Sequence, residues 1–94
     1  MPRYMVERSF PTRLEIPTTP GGAEVCLGVV ENNAKEMVTW VHSFVTLDKT
    51  KTFCIYDGPS PEAIRRAAGL NQLPVDLISE VRVLDPYFYV GAAS

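Results

Sequence analysis

Four short stretches rich in apolar residues, each bounded by polar residues, prolines or glycines, predict β-strands. These stretches are rich in β-branched and aromatic side chains, which favour strands. They span residues 3–10, 37–47, 51–57 and 77–85. The short polar segment 48–50 between two of them predicts a hairpin, so the second and third strands should be antiparallel neighbours.

Two further stretches have the spacing of helices. From Ala23 onward, apolar residues recur every three or four positions, which predicts one apolar helix face. Its members are Ala23, Cys26, Leu27, Val30 and Ala34. The run Ser60-Pro61-Glu62 offers a capping residue, a proline and an acid in the order that favours a helix start. This second helix should end near residues 69–71, before Pro74.

The order β-α-β followed by β-α-β predicts an α+β fold of the ferredoxin-like type, a four-stranded antiparallel sheet with two helices on one face. In the usual strand order of this fold, the first and third strands are central and the second lies beside the third. We expect residues 1–94 to form one such domain, with 86–94 as an aromatic tail packed along the sheet or across a dimer. Residues 11–22 carry three of the eight prolines and predict an irregular connection.

Composition and charge exclude several classes of protein. The chain is 46% hydrophobic and 21% charged, which is typical of a globular domain. Its net charge of −2, without a basic run, argues against nucleic-acid binding. No apolar run approaches the roughly 20 residues that span a bilayer, and the amino terminus lacks the apolar core of a signal peptide. We therefore expect a cytoplasmic protein in which Cys26 and Cys54 remain thiols.

Strand alternation divides the sheet residues into two faces. We assign the more aliphatic set to the helix side: Val6, Val41, Ser43, Val45, Phe53, Ile55, Val81 and Val83. The opposite set mixes aromatic and titratable groups: Met5, Glu7, Trp40, His42, Phe44, Thr52, Cys54, Tyr56, Glu80 and Arg82. An uncovered face with large aromatic side chains indicates an interaction surface, so we predict a homodimer in which this face packs on a second copy.

Three residues of the uncovered set form a candidate metal site. His42, Glu7 and Cys54 would lie on three neighbouring strands, offering an imidazole, a carboxylate and a thiol. This donor set suits a late first-row metal, and it leaves nickel, copper and zinc open. Because one chain supplies at most three donors, water, Tyr56 or the partner subunit would complete the coordination.

Three segments of the chain are distinctive: "MPRYMVERSF", "VTWVHSFVTLDKTKTFCIYDGPSPEAIRRAA" and "ISEVRVLDPYFY". Together they resemble the small bacterial nickel-binding-protein-like family, domain of unknown function 4242. The resemblance extends from Pro2 to about Tyr89. It implies a dimeric ferredoxin-like domain that binds nickel in at least one member, with no established enzymatic reaction. The matching segments include Glu7, residues 40–43 and residues 52–54.

A second interpretation is a small-molecule pocket, with or without enzymatic activity, between the uncovered face and residues 11–22. Its walls would be Trp40, Phe44 and Tyr56. His42 would then act as a general acid/base near neutral pH. A metal site needs at least three converging donors, whereas this pocket needs only His42 and an apolar enclosure.

Three charged positions outside the candidate site have structural interpretations. Asp57 should end a strand, and Glu62 should lie in the first turn of a helix, where its charge suits the helix dipole. Arg82 would pair with Glu7 or Glu80 across strands, or else hold an anionic ligand.

Overall fold

A computed structural model describes residues 1–10 and 20–87, and its elements follow the order β-α-β-β-α-β. They are β1 (Arg3–Ser9), α1 (Pro20–Ala34), β2 (Thr39–Val45), β3 (Lys51–Asp57), α2 (Pro61–Leu70) and β4 (Leu77–Val81). This order confirms the predicted ferredoxin-like fold. The fourth strand is shorter than predicted, since it ends at Val81 and leaves Arg82 and Val83 outside the sheet. Residues 88–94 of the predicted tail lie outside the described residues, and Tyr87 is exposed.

The four strands form one antiparallel sheet in the order β2-β3-β1-β4. The central position of β1 and β3 confirms the predicted strand order. β2 and β4 are the two edges. The register aligns residues of β1, β3 and β2 in rows across the sheet, and the members of a row project to the same side.

Two such rows form the apolar part of the sheet on the helix side. Tyr4 pairs with Tyr56 and Val6 with Cys54, and all four side chains are buried. Helix α2 covers them with small residues and one larger one: Ala63, Ala67, Ala68 and Ile64. The alanines allow the helix to approach a layer that is thickened by two tyrosines. The result is a core with few aliphatic residues on the strands.

Helix α2 begins as its sequence predicts. Ser60 is the capping residue, and its Oγ accepts a hydrogen bond of 3.2 Å from the backbone N–H of Ala63. Pro61 is the first helical residue, and Glu62 lies in the first turn.

Helix α1 turns a different face inward from the one predicted. Leu27 and Val30 are 57% and 47% exposed, whereas Asn33 is 2% exposed. The inner positions are Gly22, Cys26, Val29 and Asn33, which also have helical spacing. Asn33 is held inside because its Oδ1 accepts a hydrogen bond of 3.0 Å from Nδ2 of Asn71, at the end of α2. A buried amide contact, rather than an aliphatic stripe, therefore sets the orientation of α1 at its end.

Two glycines provide a matched test of this packing. A Cβ at Gly58 would lie 3.0 Å from Cδ1 of Ile64 and 3.3 Å from Cγ2 of Val38, whereas a Cβ at Gly69 would meet nothing within 4 Å. We expect Gly58→Ala to lower the free energy of unfolding by about 1–3 kcal/mol through overpacking. Gly69→Ala, in helix α2, should raise it by up to about 1 kcal/mol. Urea unfolding of both variants checks the pair, and equal effects would contradict the described packing around Gly58.

Candidate functional site

The sheet face opposite the helices is apolar over much of its area. Two rows cross its centre: Glu7, Phe53 and Phe44 in one, and Met5, Ile55 and His42 in the other. Strand β4 extends this face with Leu77, Ser79 and Val81. Phe44 is 62% exposed and Leu77 is 52% exposed. No helix of the described chain covers this surface, which we call the uncovered face.

His42 projects from the uncovered face, as the sequence predicted. It lies on the edge strand β2 and is exposed. Its ring meets the ring of Phe44 edge to face, with 5.2 Å between centroids. The imidazole thus stands among apolar side chains and remains reachable from outside the chain.

Glu7 shares this face with His42 but does not lie next to it. β3 separates their strands, and the row of His42 is offset from the row of Glu7 by two residues. Strands are spaced about 4.8 Å apart and rise about 3.3 Å per residue, so the two Cα atoms are about 12 Å apart. Phe53 and Ile55 of β3 lie between Glu7 and His42. The carboxylate and the imidazole therefore form two separate donors on one surface.

The prediction that Cys54 lies beside His42 and Glu7 is wrong. Cys54 pairs with Val6 on β1 and with Ser43 on β2, and it is 7% exposed beneath the helices. Its sulfur contacts Oγ1 of Thr52 at 3.7 Å. The thiol therefore faces the core, and the sheet itself separates it from the imidazole.

A β-bulge in β2 explains why Trp40 and His42 do not share a face. The register shifts between these two residues, so that Trp40 pairs with Tyr56 while His42 pairs with Ile55. Trp40 consequently packs against the core, and its Nε1–H donates a hydrogen bond of 2.8 Å to Oγ of Ser43. Neither Trp40 nor Tyr56 lies on the uncovered face, contrary to the predicted assignment.

Several other face assignments are also corrected by the register. Phe53, Ile55 and Val81, predicted on the helix side, lie on the uncovered face. Thr52 and Glu80, predicted on the uncovered face, share the side of Arg8 and Tyr4.

Arg82 forms none of its predicted ion pairs. It is exposed beyond the end of β4, and within residues 1–10 and 20–87 no carboxylate lies within salt-bridge distance of it. The strand-end pair is instead Arg3 with Asp57, where Nε and Oδ1 are 2.8 Å apart. This hydrogen bond holds the pKa of the Asp57 carboxyl below its ordinary value. Asp57 thus has a structural partner, as its position at a strand end suggested.

On the helix side, two of the three predicted pocket walls, Trp40 and Tyr56, line a cavity of about 220 Å³. His42 and Phe44 lie on the other side of the sheet and do not line it. The charged group that lines it is Arg8, which was not among the residues predicted for a site. The sequence did contain a signal for this position. Tyr4, Val6 and Arg8 are every second residue of β1, so they lie on the same face of the sheet, which is the core face.

Tyr56 bears the strongest electrostatic perturbation near this cavity. Burial raises the pKa of its hydroxyl to about 12, against the opposing effect of the Arg8 guanidinium. The phenol therefore remains protonated across the physiological range.

The family described as "Nickel responsive protein SCO4226-like" matches residues 4–81. The chain belongs to this family. Among solved structures, it is similar to SCO4226 from Streptomyces coelicolor A3(2), with 18% sequence identity and a TM-score of 0.69, over 88% of this chain and 99% of that chain. At this identity the likeness supports a shared fold. No curated protein matches the chain in sequence.

This family member does not assemble a complete donor set within one described chain. No group of three or more His, Cys, Asp or Glu side chains converges within residues 1–10 and 20–87 in a way that could hold a metal. Both cysteines belong to these ranges, and neither projects from the uncovered face. Across the same ranges, no helix is long and apolar enough to cross a membrane.

Proposed function

We propose that this protein is a cytoplasmic nickel-binding protein that sequesters or senses the metal, and that it works as a homodimer joined through the uncovered faces. The observation that supports this most is the position of His42. An imidazole that stands exposed among apolar side chains on an unpacked sheet face is available both to a metal and to a second subunit. Membership of a family described as nickel responsive agrees with this choice of metal.

The number of donors argues for a shared site. One chain offers His42 and Glu7 on the uncovered face, and a protein-bound late first-row ion commonly takes four or more ligands. A second copy related by two-fold symmetry presents the same face and doubles the donors. Imidazole and carboxylate are both suitable ligands for nickel, so the residues present fit the ion once two copies are counted. In this arrangement His42 and Glu7 would hold the metal, and Cys54 would take no part.

The apolar residues around His42 give the second copy a physical reason to bind. Phe44, Phe53 and Leu77 form a surface that water wets unfavourably, and packing it on a matching surface removes apolar area from solvent. The titratable groups of this face would then lie in a drier environment, where electrostatic bonds to a metal are stronger.

The alternative, a pocket with His42 as general acid/base, receives less support. Its proposed walls Trp40 and Tyr56 lie on the opposite side of the sheet from His42. A general base must come within hydrogen-bond reach of the substrate that the walls hold. The sheet prevents that arrangement in one chain.

Nickel titration by calorimetry tests the proposed function. We expect wild-type protein to bind nickel, and His42→Ala to bind it at least about tenfold more weakly, because changes to the partners of ligands alone reduce affinity 10–100-fold. Glu7→Gln should also weaken binding. Glu80→Gln removes the same charge from an exposed position on the other side of the sheet and should leave the affinity unchanged. Equal affinities of wild type and His42→Ala would refute the proposal.

A further inference from the structure

Arg8 is a buried cation with no anionic partner among residues 1–10 and 20–87. Its side chain lies at the helix side of β1, and the residue is 2% exposed. Its Nε donates a hydrogen bond of 2.8 Å to the carbonyl oxygen of Pro74, and its Nη1 donates one of 3.2 Å to the hydroxyl of Tyr56. Both acceptors are neutral, and within the described part of the chain no carboxylate lies within salt-bridge distance of Arg8. A buried charge without a compensating negative charge is unfavourable, and no described residue supplies one to Arg8, which favours an anionic ligand at this position.

The cavity of about 220 Å³ lies directly against this cation. The sheet forms the floor of the cavity. In one row of the sheet Thr52 and Val45 lie beside Arg8, and in the next row Ser43 lies beside Cys54. Val25 and Val29 of α1 and Leu73 supply apolar walls. No carboxylate belongs to the described lining. The cavity is therefore an apolar enclosure with a positive charge at its wall.

Two hydroxyl groups add hydrogen-bond donors. Oγ of Ser43 accepts the indole N–H of Trp40 at 2.8 Å, which leaves the hydroxyl hydrogen of Ser43 for another acceptor. Oγ1 of Thr52 accepts the Cys54 S–H at 3.7 Å and is likewise left with a hydrogen to donate. The polar groups of the cavity can thus act as donors toward a ligand that only accepts, as an ionised carboxylate does.

We propose that this cavity binds a small apolar monocarboxylate, with its carboxylate on the Arg8 guanidinium and its hydrocarbon part against the apolar walls. The volume agrees with this class, because an apolar cavity of about 150 Å³ holds benzene in another protein, and the present one has room for a ring plus a carboxylate. Inorganic phosphate would satisfy Arg8 but leave the apolar walls without contacts. The site lies on the opposite side of the sheet from His42, so it is independent of the proposed nickel site.

The chain's single tryptophan lines the cavity and reports on its occupancy. We expect benzoate to change Trp40 fluorescence saturably at submillimolar concentration. Benzyl alcohol, which keeps the ring and lacks the charge, should bind about tenfold more weakly or worse, because a charge-assisted hydrogen bond is lost. Inorganic phosphate should compete only weakly. Equal binding of benzoate and benzyl alcohol, or the absence of a saturable response to benzoate, would overturn the proposal.

Variants of helix α1 separate cavity binding from other effects. Val29→Phe fills the cavity and should weaken benzoate binding at least about tenfold, since occupied volume excludes the ring. Leu27→Phe places the same ring on the exposed side of the helix and should bind benzoate like wild type. Arg8→Met should abolish the preference for benzoate over benzyl alcohol. Undiminished benzoate binding by Val29→Phe would contradict the location, and the comparison of the two ligands on wild type remains decisive if a variant fails to fold. His42→Ala should bind benzoate normally, whatever its affinity for nickel.

Discussion

Phe44→Asp should convert the proposed dimer into a folded monomer. Phe44 lies on the uncovered face next to His42 and is 62% exposed in the single chain, so its replacement removes little from the monomer core. In the dimer, the carboxylate would have to be buried against apolar side chains without a partner. We expect the dissociation constant of the dimer to rise at least about a hundredfold, or roughly 3 kcal/mol. Sedimentation velocity over a range of concentrations measures this change.

Leu47→Asp is the matched control for the added charge. Leu47 lies in the turn between β2 and β3 and is 99% exposed, away from the centre of the uncovered face. Its replacement should leave the dimer intact. A wild-type protein that is monomeric at every concentration, or a Phe44→Asp variant that associates like wild type, would rule out the uncovered face as the interface.

Tyr56 should make the fold sensitive to alkaline pH. Its pKa is about 12 in the folded chain against an ordinary value of 10.0. Below pH 10 the hydroxyl is protonated in both states, so its contribution to stability is fully present there. As pH rises toward 12, the unfolded state loses the proton first, and the free energy of unfolding falls. Two pKa units correspond to a loss of about 3 kcal/mol across this window.

Tyr56→Phe should remove this part of the pH dependence, because phenylalanine has no proton to lose. At neutral pH the variant should itself be less stable, since the Arg8 guanidinium loses one of its two acceptors. Urea unfolding at neutral and alkaline pH measures both effects. Tyr87→Phe, at a residue that is 84% exposed, should keep the wild-type pH dependence. The same alkaline loss in Tyr56→Phe as in wild type would show that Tyr56 does not control it.

The order of elements and the strand order were predictable because they rest on local signals. Runs of β-branched and aromatic residues, helical spacing and the Ser60-Pro61-Glu62 start are recognised within a few residues, and the fold follows from the order of the elements. The position of His42 on the uncovered face was also predicted. These features need no knowledge of which residue contacts which.

The two faces of the sheet could not be assigned reliably from alternation. The rule that the aliphatic set faces the helices failed on β3, where Cys54 and Tyr56 face the core and Ile55 faces outward. The small alanines of α2 make room for tyrosine beneath the helix. The residue pattern along one strand carries no information about the size of the helix side chains that pack on it. The bulge in β2 adds a shift of one residue, which separates Trp40 from His42.

The role of Arg8 was not predicted from the sequence, for a related reason. An arginine in a strand is ordinarily assigned to the solvent side, and the strand parity that places Arg8 with Val6 does not show that its guanidinium contacts Pro74 and Tyr56. The distance of 66 positions between Arg8 and Pro74 is beyond the reach of any local pattern. The cavity next to Arg8 likewise forms only where four elements meet, namely β1, β2, β3 and α1.

X-ray absorption at the nickel edge of the metal-loaded protein gives the most direct test of the central claim, that metal donors come from the uncovered face of two subunits. With His42 and Glu7 on that face and both thiols on the other side, we expect a first shell of nitrogen and oxygen alone. A sulfur shell that disappears in Cys54→Ala would contradict the claim, because it would place the metal on the helix side of the sheet.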